Sequence, residues 1–375
     1  MDRKVDLERV LDQFTELVSV DSVSLGERRM ADILKAELES LGFEVTEDDA
    51  GAYYGSDTGN LYGLLKGTDP GREPVLLSAH MDTVEPGLGK KAIVDRSRGM
   101  ITSAGDTVLG ADDLSGVAEI LEGIRLAKAD PAGYGDIEIL FTVAEESYCK
   151  GAVKFDFSRV RSKTAYIADM SGSVGNAAVS APSIISFEFT IHGKPAHAGF
   201  DPGAGINAIA AAAEIISQTE QGLIGTGLTL NIGTIEGGKA SNIVSDSCRC
   251  TGEVRGSDHE EAVRVLGELE KRIESVCSRT GAEYTFGSEV RIRAYCTPED
   301  DITCRTFLKA CENLGLEGKL ISTRSGSDNN VFAEHGISGI VLSSGMMDTH
   351  SVTEHIEIRD LEIGSRLIAE IISLS

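Results

Sequence analysis

Seven acidic residues and histidines follow apolar, strand-like segments of the chain. The segments VLLSA, IEILFTVA and AYIA have the continuous apolar character of buried parallel strands. The residues with reactive side chains come directly after such segments: His80 and Asp82 in LLSAHMDTVEPG, Asp112 in LGADDLSG, Glu145 and Glu146 in FTVAEESYCKGA, Asp169 in AYIADMSG, and His350 in MMDTHSVTEH. Loops at the carboxyl ends of parallel strands meet at one edge of a sheet, so we expect these side chains to converge.

The mixture of imidazole and carboxylate groups predicts a metal site. Neutral imidazole together with carboxylate suits zinc, with manganese or cobalt as substitutes, whereas a set of oxygen ligands alone would favour magnesium or calcium. The residues therefore indicate a metal-dependent hydrolase.

The order of the predicted elements indicates two domains, the second inserted into the first. In residues 1–182 and 294–375, apolar strands alternate with helical patterns, which predicts an α/β domain with a mixed, mostly parallel sheet flanked by helices. In residues 183–293 the order is strand, helix, strand, strand, helix, strand, which is typical of a ferredoxin-like α+β domain. We expect the first domain to be catalytic and to bind zinc.

Hydrophobic periodicity also places individual elements of the α/β domain. Helices are predicted near Arg28–Leu41, Ser115–Ala127 and Arg359–Ser373, and strands near Leu61–Leu65, Val75–Ala79, Ile137–Val143 and Ala165–Ala168.

Composition excludes several classes of partner. The chain has 375 residues, 35 of them basic and 60 acidic, and its net charge of -25 repels nucleic acid phosphates and anionic membrane surfaces. Its seven cysteines form no C-x-x-C pair and are interpreted as reduced thiols. Its beginning lacks the apolar core of a cleavable signal. We therefore expect a cytoplasmic protein with no nucleic acid or membrane partner.

Taken in order, the motifs resemble the M20 family of dinuclear zinc peptidases, most closely its peptidase T-like, tripeptide aminopeptidase-like branch. The resemblance covers nearly the whole chain and rests on SAHMDTVEPG, GDTVLGADDLSG, EES, IADMSG, HGKPAHAG followed by GINAI, GGKASNIV with GEVR, and RSGSDNN before THSVTEHI. It implies that the inserted domain of residues 183–293 serves as a lid and as the contact of a homodimer.

The resemblance also implies which residues bind metal. Two zinc ions per subunit are expected, bridged by Asp112. His80 and Asp169 would bind one ion, and Glu146 and His350 the other. The peptide bond after Asp112 is expected to be cis.

Glu145 would be the general base of the reaction. Paired cations make a bound water acidic enough to attack as hydroxide and polarise the scissile carbonyl, while Glu145 carries the proton to the leaving amine. Adjacent glutamates on a strand point to opposite faces, so Glu145 and Glu146 act together only if the strand has ended at Ala144. Otherwise they are two solvated acids. Asp82 would orient His80 by accepting its far ring N–H, unless it is a turn residue.

Four residues of the later motifs are implied in substrate binding. His197 would donate a hydrogen bond to the oxyanion, from its own subunit or from the partner, unless it caps the helix that begins near Gly205. Asn242, Arg255 and Arg324 would bind the carboxylate or backbone of a peptide, because the guanidinium group matches a carboxylate. An exposed ion pair is the alternative for Arg324.

Two departures from the family pattern leave the substrate open. Leu114 stands where the family often has lysine, and Ser147, Tyr148 and Cys149 stand where it is glycine-rich. The predicted function is an exopeptidase acting on short peptides. An amidohydrolase of N-acyl amino acids and a non-catalytic peptide-binding protein are the alternatives.

Overall fold

The computed structural model describes residues 4–375. Their α-helices are α1 (Leu7–Val18), α2 (Arg28–Ser40), α3 (Ala111–Lys128), α4 (Lys150–Lys154), α5 (Ala208–Ser217), α6 (His259–Thr280), α7 (Ile302–Leu314), α8 (Asp328–Glu334) and α9 (Ile358–Leu374). Short 3₁₀ helices cover Ala50–Tyr54, Glu145–Ser147, Phe157–Arg159 and Pro202–Ala204.

The strands are given in chain order. They are β1 (Glu44–Glu47), β2 (Leu61–Leu65), β3 (Val75–His80), β4 (Ala92–Asp95), β5 (Met100–Ser103), β6 (Ile137–Thr142), β7 (Thr164–Met170), β8 (Asn176–Ala181), β9 (Ser183–His192), β10 (Gly222–Gly225), β11 (Leu228–Gly237), β12 (Ser247–Gly256), β13 (Glu283–Ile292), β14 (Tyr295–Cys296), β15 (Lys319–Ser322), β16 (Ser338–Ser343), β17 (Met346–Met347) and β18 (His355–Glu357).

The chain divides into two compact units. The first contains the chain up to Ser180 together with Cys296–Thr323 and Ser327–Ser375, and the second contains Ala181–Tyr295 with Arg324–Gly326. The second unit is thus contributed mainly by one continuous segment that interrupts the first.

The first unit is built on a mixed sheet. Its strands lie in the order β1-β2-β6-β3-β7-β16-β8, with β15 also pairing with β8. The central pairs β6–β3, β3–β7 and β7–β16 are parallel, whereas β1–β2, β2–β6 and β16–β8 are antiparallel. The four parallel strands therefore present their carboxyl ends at one edge, and the mostly parallel fold class is confirmed.

Helix α3 joins this edge to the core of the first unit. Nearly all of its residues are buried, among them the acids Asp113, Glu119 and Glu122. It packs against β3, β7 and α9. Gly123 permits close approach to α9, since a Cβ there would lie 2.5 Å from Cγ2 of Ile368.

The second unit is an antiparallel sheet covered by two helices. Its strand order is β10-β11-β12-β9-β13, and α5 and α6 pack on the sheet over a core that includes Phe187, Phe189 and Leu269. Without the short β10, the order of the four long strands is that of a ferredoxin-like domain. The inserted α+β fold is confirmed.

Two further observations concern the whole described chain. Among residues 4–375, no helix combines the length and the apolar character needed to cross a membrane. All seven cysteines are free thiols, and only Cys296 is exposed.

Candidate metal centre

His80 is the last residue of β3 and its side chain is buried. Its Nδ1 lies 2.9 Å from the backbone oxygen of Asp82 and 3.5 Å from that residue's carboxylate. The nearest acceptor is thus the carbonyl, whereas the sequence predicted the carboxylate. With Nδ1–H donating to this oxygen, Nε2 faces Asp112 Oδ1 at 3.1 Å and Asp169 Oδ1 at 3.6 Å.

The Asp112 carboxylate lies between two imidazoles. Its Oδ1 is 3.1 Å from His80 Nε2, and its Oδ2 is 3.2 Å from His350 Nε2. The peptide bond to Asp113 is cis, as predicted. Asp112 therefore directs one oxygen to each of two histidines, which is the arrangement of a carboxylate that could bridge two cations.

His350 and Glu146 form the other side of the cluster. His350 Nε2 lies 2.9 Å from Glu146 Oε1, and the imidazole is about half exposed. Hydrogen bonds to Asp112 and Glu146 raise the pKa of His350 to about 10, although partial burial opposes this. The side chains on both sides of Asp112 thus include one histidine and one further carboxylate.

Glu145 and Glu146 lie in a loop that leaves the sheet abruptly. Strand β6 ends at Thr142, Ala144 has φ 50°, and a 3₁₀ turn begins at Glu145. The strand has therefore ended before the two glutamates, which was the condition for their acting together.

The buried carboxylate of Asp82 holds this loop. It accepts hydrogen bonds from the backbone N–H groups of Glu145 at 2.9 Å and Glu146 at 3.2 Å, and from Ser24 Oγ at 2.6 Å. Asp82 is fully buried, so it is more than a surface turn residue. Through its carbonyl and its carboxylate it contacts both His80 and the glutamate loop.

Three buried acids that the sequence did not single out hold the backbone of the site. Glu354 accepts the N–H groups of Gly110 at 2.7 Å and Asp112 at 2.9 Å. Asp113 accepts the N–H of His80 at 3.1 Å, and Glu27 accepts that of Ala144 at 3.0 Å. Asp113 and Glu354 stand inside recognised motifs, but no sequence signal marks Glu27.

The electrostatics of the cluster fit divalent cations. Burial, aided by nearby acids, raises the pKa of Asp169 to about 7, and burial raises the pKa values of Glu145 and Glu146 as well. The acids are thus too crowded to be ionised together without added positive charge. His80, Asp112 and Glu146, and also His80, Asp113 and Asp169, each offer ligand atoms within 4.8 Å of one another. The cluster has the donor set of a metal site.

The other predicted site residues lie in the second unit. The segments that carry His197 and Asn242 pair, since Ala198 N–H donates to the Asn242 carbonyl at 3.0 Å. His197 does not cap α5, because Asn207 does so. Arg255 binds Glu253 at 2.8 Å and the carbonyl of Arg324 at 3.1 Å.

The two departures from the family pattern differ in position. Leu114 is completely buried in the apolar core. Tyr148 is 42% exposed and has φ 67°. Unlike Leu114, Tyr148 is therefore available to an incoming molecule.

Comparison with known proteins yields matches to family models and to whole chains. A model described as "Peptidase dimerisation domain" (M20_dimer) matches residues 179–281, and one described as "Peptidase family M28" matches residues 60–194. The uncharacterized protein YqjE of Bacillus subtilis is 34% identical over 368 residues, 98% of each chain.

Two solved structures are similar over almost their whole length. An aminopeptidase PepT from Bacillus cereus has 34% identity and a TM-score of 0.93 over 99% of both chains. A tripeptidase from Staphylococcus aureus has 31% identity and a TM-score of 0.95 over 98% of both chains. The chain thus has the expected motifs, fold and inserted domain, and it is similar to these two peptidases over nearly its whole length. The chain belongs to the M20 peptidase family, in its PepT or tripeptidase-like group.

Proposed function

We propose that the protein is a two-metal aminopeptidase that cleaves short peptides. The observation that carries the proposal is the Asp112 carboxylate, whose two oxygens face two different imidazoles. His80 and Asp169 would bind one cation with Asp112, and His350 and Glu146 the other. Zinc suits this set of imidazole and carboxylate ligands, with manganese or cobalt as substitutes.

Bound cations would supply Lewis-acid polarisation of the scissile carbonyl and would acidify a water molecule. The protein's part is to keep their ligands in place. His80 is fixed by the Asp82 carbonyl, and the Asp112 backbone is fixed by Glu354.

Glu145 is the proposed general base. Its side chain is only 9% exposed, and its backbone N–H is bound by Asp82. Burial raises its pKa well above the usual value, which favours a group that must both accept and release a proton near neutral pH. Glu145 would take a proton from the attacking water and deliver it to the leaving amine.

His197 is the proposed donor to the oxyanion. Its Nδ1 accepts the backbone N–H groups of Gly199 at 3.1 Å and Phe200 at 3.2 Å. In the neutral ring the proton then resides on Nε2, which is left to donate. Such a donor contributes about 2.7–4 kcal/mol to transition-state stabilisation. It would serve the site of its own subunit or that of the partner in a homodimer.

Asn242, Arg255 and Arg324 are the proposed contacts of the substrate. Asn242 and Arg324 are exposed, and the backbone of the Asn242 segment is paired with that of His197. The ion pair with Glu253 fixes the guanidinium of Arg255. The choice of short peptides is supported by the 34% and 31% identity to an aminopeptidase and a tripeptidase.

The test is hydrolysis of a panel of dipeptides, tripeptides and N-acyl amino acids with zinc, manganese or cobalt, and with a chelator. Release of the amino-terminal residue from tripeptides, abolished by the chelator, is the expected result. Cleavage restricted to N-acyl amino acids would replace the substrate assignment, and exposed Tyr148 would then be the first residue to vary. Absence of turnover with every metal would contradict an enzymatic function.

Glu145→Gln tests the base. It preserves the shape of the side chain and removes its ability to accept a proton, so kcat should fall by about 10²–10⁴-fold. The amount of bound metal, measured by elemental analysis, should not change. A variant with wild-type turnover would contradict the mechanism.

A further inference from the structure

A second group of buried side chains lies behind Glu145. Glu145, Cys149 and Asp328 each offer one atom, and these atoms lie within 4.8 Å of one another. Cys149 and Asp328 are each 1% exposed. Neither residue belongs to the proposed metal ligands, so the function described so far gives them no role.

Cys149 contacts Glu145 twice. Its backbone N–H donates to the Glu145 carbonyl at 2.7 Å, and its Sγ donates to Glu145 Oε1 at 3.3 Å. Burial, with nearby acids, raises the pKa of the Cys149 thiol well above its usual value, so the group keeps its proton and remains a donor. The thiol thus donates a hydrogen bond to one carboxylate oxygen of Glu145, and the other carboxylate oxygen remains available to accept the proton of the reaction.

Asp328 ties this group to the sheet. It is the first residue of α8, and its Oδ2 accepts a hydrogen bond of 2.5 Å from Thr142 Oγ1 at the end of β6. Its Oδ1 is buried and has no hydrogen-bond partner within residues 4–375. A buried carboxylate oxygen without a hydrogen-bond partner lowers the stability of the folded protein. Such a residue typically has a role other than stabilising the fold.

We propose that Cys149 and Asp328 are positioning residues that hold the carboxylate of Glu145 in the orientation required for proton transfer. The inference rests on the proposed role of Glu145 as the base. A free glutamate side chain samples many rotamers, and a displacement of about 1 Å at a reacting group can cost about 10²-fold in rate. The hydrogen bond from the Cys149 thiol restricts those rotamers, and Asp328, anchored to β6, places a fixed carboxylate within 4.8 Å of the same group.

The experiment compares Cys149→Ala, Cys149→Ser, Asp328→Ala and Asp328→Asn on whichever amide the wild-type enzyme cleaves best. The alanine variants should lower kcat about tenfold, as is common for groups that orient a reacting residue, with KM and bound metal unchanged. Cys149→Ser retains a donor and should restore kcat to within about twofold of wild type, and Asp328→Asn, which still accepts from Thr142, should lie between.

Cys311→Ala is the matched control, because it removes an equally buried thiol from α7. It should lower the melting temperature and leave kcat unchanged. If Cys149→Ala and Asp328→Ala behave in the same way as this control, the two residues are merely structural and the proposal is wrong.

A crystal structure of Asp328→Asn and one of Cys149→Ala provide a readout that needs no substrate. The Glu145 carboxylate should occupy a different rotamer in at least the cysteine variant, and an unchanged position in both would overturn the proposal. If wild-type protein cleaves no substrate of the panel, the proposed function fails, whereas the positioning of Glu145 is still decided by these two structures.

Discussion

Asp82 shows how one residue can serve two ligand segments at once. Its carbonyl accepts from His80, and its carboxylate accepts from the backbone of Glu145 and Glu146. The resemblance implied only a contact with His80, and it assigned that contact to the carboxylate of Asp82. The second follows from the abrupt turn after β6, which points two consecutive N–H groups at the same buried carboxylate.

Replacement of Asp82 by alanine should therefore affect both metal affinity and turnover. Loss of groups that orient metal ligands commonly weakens metal binding by about 10–100-fold, and we expect a decrease in that range. Competition with a fluorescent chelator measures the dissociation constant. Asp95→Asn, which alters a partly exposed carboxylate at the end of β4 in the same unit, is the control and should not change the metal affinity. Equal metal affinity in both variants would contradict this role.

The raised pKa values at the cluster predict proton release on metal binding. Asp169 has a pKa of about 7, and Glu146 is shifted in the same direction, so the metal-free protein holds protons there that bound cations must displace. Bound cations must also displace the proton of His350, whose pKa is raised to about 10. Metal affinity should consequently rise with pH up to about pH 10 and fall as the pH decreases, by about tenfold per pH unit for each proton released. Calorimetric titrations in two buffers of different ionisation enthalpy measure the number of protons. No proton release at pH 6.5 would contradict the prediction.

At the scale of elements, long periodic segments were predicted well and short ones were missed. The helix predicted at Arg28–Leu41 ends one residue earlier, and the strand at Leu61–Leu65 has the predicted bounds. Strands β1, β4 and β5 have only four residues each and β8 is rich in alanine, so their patterns are too weak to be recognised. Helix α3 begins at Ala111, but Asp112 and Asp113 are not helical, which is why apolar periodicity indicated a later start.

The packing of α3 on α9 makes Gly123 a sensitive position. A Cβ there would lie 2.5 Å and 2.7 Å from side-chain atoms of Ile368, so Gly123→Ala should destabilise the protein by about 1–3 kcal/mol. Gly267 in α6 has no neighbour within 4 Å of the equivalent point, and Gly267→Ala should stabilise by about 0.5–1 kcal/mol. The urea concentration at the unfolding midpoint is measured for both variants. Midpoint shifts of the same sign would contradict the proposed close contact between α3 and α9 at Gly123.

At the scale of the whole molecule, we propose a homodimer formed through the second unit. Strand β11 pairs with β10 only over Leu228–Leu230, so its later residues form an open edge on that side. Ile235 on this edge is 50% exposed and Ile209 on α5 is 38% exposed. The other edge strand, β13, carries Glu283, Glu289 and Arg291, and charged side chains discourage pairing between edges. The match to a peptidase dimerisation domain over residues 179–281 supports the proposal.

Ile235→Asp should weaken this dimer, because it places a charge on the open edge. Light scattering coupled to size-exclusion chromatography should show the wild type as a dimer and the variant shifted towards monomer. Val290→Asp on β13 introduces the same charge at a comparably exposed position and is the control. A wild-type monomer, or equal dissociation of both variants, would contradict the proposed interface.

The sequence alone determined the types of side chain at the site and the inserted domain, and the family resemblance that its motifs carry implied the cis bond at Asp112. It could do so because apolar runs, element order and ordered motifs are local features. The tertiary structure alone decided which buried groups hold those side chains. Glu354 binds the backbone of Asp112 across 242 positions of the chain, and Thr142 binds Asp328 across 186. A buried carboxylate that accepts backbone N–H groups looks in the sequence like any solvated acid, and only the folded chain shows which is which.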